Sequence, residues 1–156
     1  MVQIWLDCDG VLADFDKYFT KKFGLTPSAY EKLHGSSIFW HNIQNHPNFY
    51  YNLPLMPGAR KLWKAVSKYC VPKILTGLPS GTWAEEQKLA WRDKYFNGFE
   101  MICTKAALKS NYCKPGDILI DDRLYYAHLW EEVGGIFLHH ENATNSIAKL
   151  KSILNP

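Results

Sequence analysis

Short unbroken apolar runs alternate along this chain with stretches whose apolar positions recur at helical spacing. Five runs read as strands: Val2–Asp7, Lys73–Thr76, Phe99–Cys103, Ile118–Asp121 and Gly135–His139. None shows clean polar alternation, so each strand is expected to be covered on both faces. Helical patterns fall between them. Residues 60–69 follow Met56-Pro57-Gly58 and carry Leu62, Val66 and Tyr69 on one side. Residues 82–96 carry Trp83, Ala90, Trp91 and Tyr95 and stop before Asn97-Gly98, a helix-ending signal. Residues 124–133 end at Gly134-Gly135, and a last amphipathic stretch with Ile147, Leu150 and Ile153 is expected to be capped by Thr144.

Strand alternating with helix predicts an α/β fold, a Rossmann-like parallel sheet flanked by helices. Residues 16–56 break the rhythm. They hold no convincing strand, and Phe15, Phe19 and Phe23 form a helical stripe that Gly24 ends. A structureless loop of that length is improbable inside a compact domain. A small helical cap inserted after the first strand is the better reading, with residues 1–15 and 57–156 as the core and 16–56 as the cap.

Length and composition agree with a single packed domain: 156 residues, 47% hydrophobic, 15% aromatic. The formal charge of +3, with lysines scattered among acids and aromatics, gives no basic stripe for a long nucleic acid. No apolar run approaches the roughly 20 residues of a membrane span. The pattern begins at Val2 without a basic, apolar leader, so a cytoplasmic protein is expected. Cys8, Cys70, Cys103 and Cys113 lack C-x-x-C or zinc spacing and read as reduced thiols, Cys8 as core packing.

In an open parallel sheet, ligands bind beyond the carboxyl ends of the strands. The ends here are chemically loaded: Asp7-Cys8-Asp9-Gly10 after the first strand, Thr76-Gly77 after the second, Asp121-Asp122-Arg123 after the fourth. Carboxylates converging at one edge repel unless protonated or neutralised by a cation. An all-oxygen set suits Mg²⁺. One carboxylate beside such a cation can act as a nucleophile towards phosphorus. A second can protonate the leaving oxygen and then deprotonate water. Thr76 can donate to a phosphoryl oxygen, and a lysine can balance the developing charge.

The segments "DCDGVLADF", "ILTGLP" and "ILIDDR" resemble motifs one, two and four of the haloacid dehalogenase superfamily. Within it the chain is similar to the 5′(3′)-deoxyribonucleotidases and their small bacterial and phage relatives. That likeness runs from about residue 2 to 140 and includes Phe39-Trp40, "NFYYNLPLMPGA" and "KLAWRDKYF". The resemblance implies Asp7 as nucleophile, Asp9 as general acid–base and Thr76, beside Gly77, as the phosphate-binding hydroxyl. It implies Mg²⁺ held by Asp7, the Asp9 carbonyl and Asp122, with Asp121 in support. It places Phe15, Phe39 and Trp40 around a nucleoside, and Arg123 just after motif four. The motif-three lysine matches Lys109 best, with Lys105 as runner-up and Lys114 in a surface turn.

The expected function is Mg²⁺-dependent hydrolysis of (deoxy)nucleoside monophosphates through a phospho-aspartate. The partner is then a small phosphorylated substrate, with no membrane, and exposed cap aromatics would support a homodimer. The alternatives are a phosphatase or phosphomutase acting on a sugar phosphate or other small metabolite, a 3′-phosphatase on nucleic-acid ends, and a member that binds ligand without turnover. Each residue also has an ordinary reading. Paired aspartates cap helices, Phe15, Phe39 and Trp40 can be core, and Arg123 can pair with an acid. Trp83, Trp91 and Tyr95 read as packing, and His139-His140 as structural.

Overall fold

Five strands of the computed structural model, which describes residues 1–155, form one parallel sheet in the order β3-β2-β1-β4-β5. They are β1 (Ile4–Leu6), β2 (Lys73–Gly77), β3 (Met101–Thr104), β4 (Ile118–Asp121) and β5 (Ile136–His139). Every strand is parallel to its neighbour: Leu6 sits opposite Ile74 on one side and Ile120 on the other. β1 and β4 are buried throughout, which is why the sequence gives them no polar alternation. The chain first winds outward from β1 to β3, then returns to the other side of β1 to lay down β4 and β5. The reversal lies between β1 and β4, and a crevice opens there at the carboxyl ends.

Among the described residues, seven helices accompany the sheet. Between β1 and β2 stand α1 (Phe15–Phe23), α2 (Pro27–His34), α3 (Ser36–Asn45) and α4 (Ala59–Val66). α5 (Trp83–Tyr95) follows β2, α6 (Ala127–Glu132) follows β4, and α7 (Ala143–Leu154) closes the chain. A 3₁₀ segment, Ala106–Tyr112, connects β3 to β4. α1 begins at an Asp14 cap, whose carboxylate accepts from the Lys17 amide, and ends at Gly24 in the left-handed region (φ 81°). Thr26 caps α2 with Pro27 in its first turn.

The residues after the first strand are helical, as the Phe15–Phe19–Phe23 stripe predicts. Their apolar side chains do not form a separate core. Phe15, Phe19, Phe39, Ile43 and Phe49 belong to the same buried cluster as Ile4, Leu6, Ile74 and Ile120. A smaller cluster of Trp5, Leu75, Leu119 and Trp130 fills the other face of the sheet. Sequence expectations shift at three helices, and the one expected over 60–69 runs Ala59–Val66 and leaves Tyr69 beyond its end. The last helix is capped by Asn142, whose Oδ1 accepts from the Asn145 amide at 2.8 Å; Thr144 already lies in the first turn. The helix expected from Leu124 begins at Ala127, because Leu124–Tyr126 form a turn that closes with the Ala127 amide on the Leu124 carbonyl.

Candidate active site

β1 ends where its backbone must turn sharply. The Cys8 carbonyl accepts from the amides of Leu12 and Ala13 at 2.8 and 2.9 Å, and Gly10 adopts φ 86°. That φ is strained for any residue with a side chain. A Cβ on Gly10 would also lie 2.1 Å from Asp122 Oδ2. The turn therefore brings the β1 loop against the end of β4. One carboxylate oxygen from each of Asp7, Asp121 and Asp122 lies within 4.8 Å of the others.

Lys109 binds this cluster together. Its Nζ donates to Asp7 Oδ1 at 2.9 Å and to Asp121 Oδ2 at 3.0 Å, and the residue is 7% exposed. Burial pushes the ammonium down, but Asp7 and Asp121 outweigh it and hold Lys109 above its ordinary value. A second ammonium, Lys88, reaches up from α5 at 1% exposure. It donates to Asp9 Oδ2 at 2.8 Å and to Thr76 Oγ1 at 3.0 Å. Four carboxylates (Asp7, Asp9, Asp121, Asp122) against two ammonium groups (Lys88, Lys109) leave two negative charges uncompensated when all are ionised.

That imbalance shows in the proton affinities. Burial, then Asp121, push Asp7 well above the usual carboxylate range. Burial and Asp121 push Asp122 up to about 6. Asp121 is held low: burial raises it, but Lys109 outweighs burial and the Arg123 amide adds a hydrogen bond. Asp9 Oδ1 and Asp122 Oδ1 are buried with no hydrogen-bond partner in the structure. An all-oxygen cluster carrying an excess of two negative charges and an orphaned carboxylate oxygen fits a divalent cation such as Mg²⁺.

The cluster forms the floor of a cavity of about 760 Å³. Phe15, Phe39, Trp40 and Tyr50 form an aromatic side, while Thr26, Ser28 and Glu31 add polar groups from the start of α2.

The sequence matches no protein-family model and no curated protein. Solved structures do match. A hydrolase from Streptococcus pneumoniae TIGR4 is 17% identical, with a TM-score of 0.55 over 99% of this chain and 98% of that one. A crystal structure of a dehalogenase is 15% identical, with a TM-score of 0.60 over 100% and 98%. A haloacid dehalogenase-like family protein from Streptococcus pneumoniae is 16% identical, with a TM-score of 0.56 over 89% and 84%. The chain has the haloacid dehalogenase-like fold.

On this haloacid dehalogenase-like scaffold, Asp7, Asp9, Lys109, Asp121 and Asp122 come from three separate segments to line the cavity, whereas Thr76 is fully buried in β2 and reaches Asp9 only through Lys88. Of the three lysines weighed from the sequence, Lys109 meets the carboxylates, whereas Lys105 is exposed and reaches the Pro79 carbonyl and Lys114 is exposed. The Asp9 carboxylate lies with Lys88, apart from the three-carboxylate cluster. Gly77 lines the cavity, and its missing Cβ leaves room for Ala106, which a Cβ would approach to 3.2 Å. Phe15 and Phe39 are buried in the core with an edge on the cavity, while Trp40 is half-buried. Arg123 is exposed at the rim near Asp16. His140 is buried against Ser146 Oγ at 2.6 Å, and His139 Nε2 pairs with the Asp122 carbonyl at 3.0 Å.

Lys88 and Tyr50 are additions that the sequence pattern alone does not single out. The signal for Lys88 is nonetheless present: Ala84, Lys88 and Trp91 fall at helical spacing on the buried side of α5, where a lysine needs a partner. Tyr50 packs its ring 4.2 Å from the Lys88 ammonium.

The Gly10 geometry gives a test of the cluster. Gly10→Ala is expected to lose roughly 1–3 kcal/mol of stability from the forbidden φ. It should also displace Asp122 and weaken Mg²⁺ binding. Calorimetric titration with Mg²⁺ checks this, and an unchanged affinity would separate Asp122 from the metal.

Proposed function

We propose that the chain is a Mg²⁺-dependent phosphatase of haloacid dehalogenase type that hydrolyses (deoxy)nucleoside monophosphates through a phospho-aspartate on Asp7. The observation carrying this reading is the Asp7–Lys109–Asp121 cluster on the floor of a cavity with aromatic walls. A Bacteroides thetaiotaomicron enzyme of the haloacid dehalogenase family, solved as a complex with magnesium and inorganic phosphate, lends support (14% identity, TM-score 0.50, 90% of this chain and 94% of that one). In this reading residues 16–56 act as the cap over the site.

Asp7, Asp122 and the Asp9 carbonyl would hold Mg²⁺, with Asp121 supporting them. Bound there, it would offset carboxylate charge and draw electron density from the phosphoryl group. The remaining chemistry belongs to side chains. An Asp7 oxygen attacks phosphorus, and the bond to the leaving oxygen breaks as Asp9 gives that oxygen its proton. Asp9 then takes a proton from water, whose oxygen attacks the phospho-aspartate; inorganic phosphate leaves and Asp7 is restored. Thr76 donates to a phosphoryl oxygen, and Lys109 balances the charge spreading over the others. Trp40, with the edges of Phe15 and Phe39, would stack on a base.

One observation favours a second reading. Thr26, Ser28 and Glu31 on the cavity wall offer hydroxyl and carboxylate partners to a sugar, which suits a sugar phosphate. Phosphate release from a panel of nucleoside 5′- and 3′-monophosphates and sugar phosphates decides between them, each run with Mg²⁺, with EDTA, and with Asp7→Asn protein. Nucleotide turnover that needs both Mg²⁺ and Asp7 supports the nucleotidase reading. Turnover of sugar phosphates alone transfers the proposal to the second. No turnover by a folded, Mg²⁺-binding protein would point to a ligand-binding role.

A further inference from the structure

We propose that Lys88 is a positioning residue that aims Asp9 and Thr76 at the substrate, so that Asp9 can protonate the leaving oxygen. The inference rests on the phosphatase reading of the site. Lys88 emerges from the buried side of α5 and is enclosed on all sides. Its ammonium meets Asp9 Oδ2 at 2.8 Å, Thr76 Oγ1 at 3.0 Å and the face of Tyr50 at 4.2 Å.

Hydrogen-bond polarity sets the roles of both oxygen partners. An ammonium donates and never accepts. Thr76 Oγ1 therefore accepts from Lys88, and its own hydrogen is free to donate elsewhere. In the proposed reaction that hydrogen serves the phosphoryl group; in the structure Thr76 is fully buried next to Gly77, which lines the cavity. On Asp9, Lys88 occupies Oδ2 and leaves Oδ1, which is buried without a partner. Held at Oδ2 by Lys88, the carboxylate cannot swing away from the cavity that Asp9 lines. One cation thus sets the direction of two polar groups on different segments.

Stability does not explain this lysine. Desolvating an ammonium and a carboxylate costs several kcal/mol per ion, and apolar replacements of buried pairs are often neutral or stabilising. Apolar side chains in place of both Lys88 and Asp9 would extend the Ala84–Trp91 stripe of α5 without that cost. A buried ammonium kept against Asp9 and Thr76 is better accounted for by what it orients.

A pair of substrates separates orientation from general damage. p-Nitrophenyl phosphate expels a stable phenolate that needs little help from an acid. An alkyl phosphate, either uridine 5′-monophosphate or glycerol 3-phosphate, expels an alkoxide that needs a proton. Lys88→Met is expected to lower kcat on the alkyl phosphate by about 10²-fold, the usual scale of a lost general acid. Its kcat on p-nitrophenyl phosphate should fall less than about tenfold. Asp9→Asn should reproduce that ratio, and adding Lys88→Met to it should change the ratio little further. Lys88→Arg, which keeps the charge but replaces a compact ammonium by a planar fork, should show the same bias and serves if Lys88→Met does not fold. Equal losses on both substrates, or no loss on either, overturn the proposal. If the unaltered protein turns over neither substrate, the phosphatase reading fails on its own. Binding of inorganic phosphate with Mg²⁺ then decides for Lys88: a loss of about tenfold in Lys88→Met protein keeps the Thr76-orienting role, and equal binding removes it.

Discussion

Asp7→Asn protein is expected to release phosphate at least about 10⁵-fold more slowly than the unaltered protein, the scale on which removing a nucleophile abolishes covalent catalysis. The substitution keeps the shape of the side chain. An asparagine Oδ1 can still accept from Lys109 at the position where Asp7 Oδ1 does so at 2.9 Å. What it lacks is the anionic oxygen that would attack phosphorus. The same change should not harm the fold. Burial and the neighbouring Asp121 already push Asp7 well above the usual carboxylate range, so the metal-free protein resists its ionisation. A neutral amide removes that conflict, and thermal unfolding in EDTA should occur at an unchanged or higher temperature. On the proposed reading, the Mg²⁺-induced rise in melting temperature should shrink, since Asp7 would be one of the groups that hold the ion. Loss of turnover with a retained fold assigns the effect to chemistry. Turnover within about tenfold of the unaltered protein would remove Asp7 from the nucleophile's place.

The sheet was legible because strands buried on both faces leave uninterrupted apolar runs, and Ile118–Asp121 falls where its run predicts. Five of the candidate residues were legible for a related reason. Asp7, Asp9, Thr76, Asp121 and Asp122 sit at or just past the ends of those runs, where a polar group has no packing purpose. Lys109 was less accessible. It lies in a 3₁₀ segment with no amphipathic period, so position along the chain did not separate it from Lys105 and Lys114 without the family resemblance. Lys88 escaped altogether, because a lysine in a helix is read by default as solvent-facing. Its burial depends on Asp9 and Thr76, which are distant in sequence. Asn142 and Thr144 are both competent caps, and only the backbone shows which residue precedes the first helical turn. Phe15 and Phe39 serve core and cavity together, a duality that spacing alone does not reveal.

Lys109→Met should give the largest loss of stability at the site. Lys109 is shared by Asp7 and Asp121, both nearly buried, and it contributes the cation that each of them faces. Removing one partner of a buried pair costs about 3–5 kcal/mol, because the remaining charge is left uncompensated. For a domain of this size that corresponds to a melting temperature lower by roughly 10 °C. The loss should depend on pH with a definite sign. Without Lys109, Asp7 stays raised and Asp121 loses the ion pair that outweighed its burial, so both carboxyls bind protons more tightly folded than unfolded. A group raised on folding contributes stability at low pH that disappears as pH rises through its folded value. The variant should therefore be least impaired near about pH 4, the unperturbed carboxylate value, and progressively worse towards neutrality. Mg²⁺ offers these carboxylates a replacement cation, and saturation at about a hundredfold over its dissociation constant would restore about 2.7 kcal/mol. Turnover should not recover to the same degree, because balancing charge on the transferring phosphoryl group is worth about 10²–10³-fold for one well-placed donor. Thermal melts of both proteins across pH, with EDTA and with Mg²⁺, measure every part of this. A variant whose deficit is constant with pH, or indifferent to Mg²⁺, would mean that Lys109 holds the loop in place and does not neutralise the carboxylates.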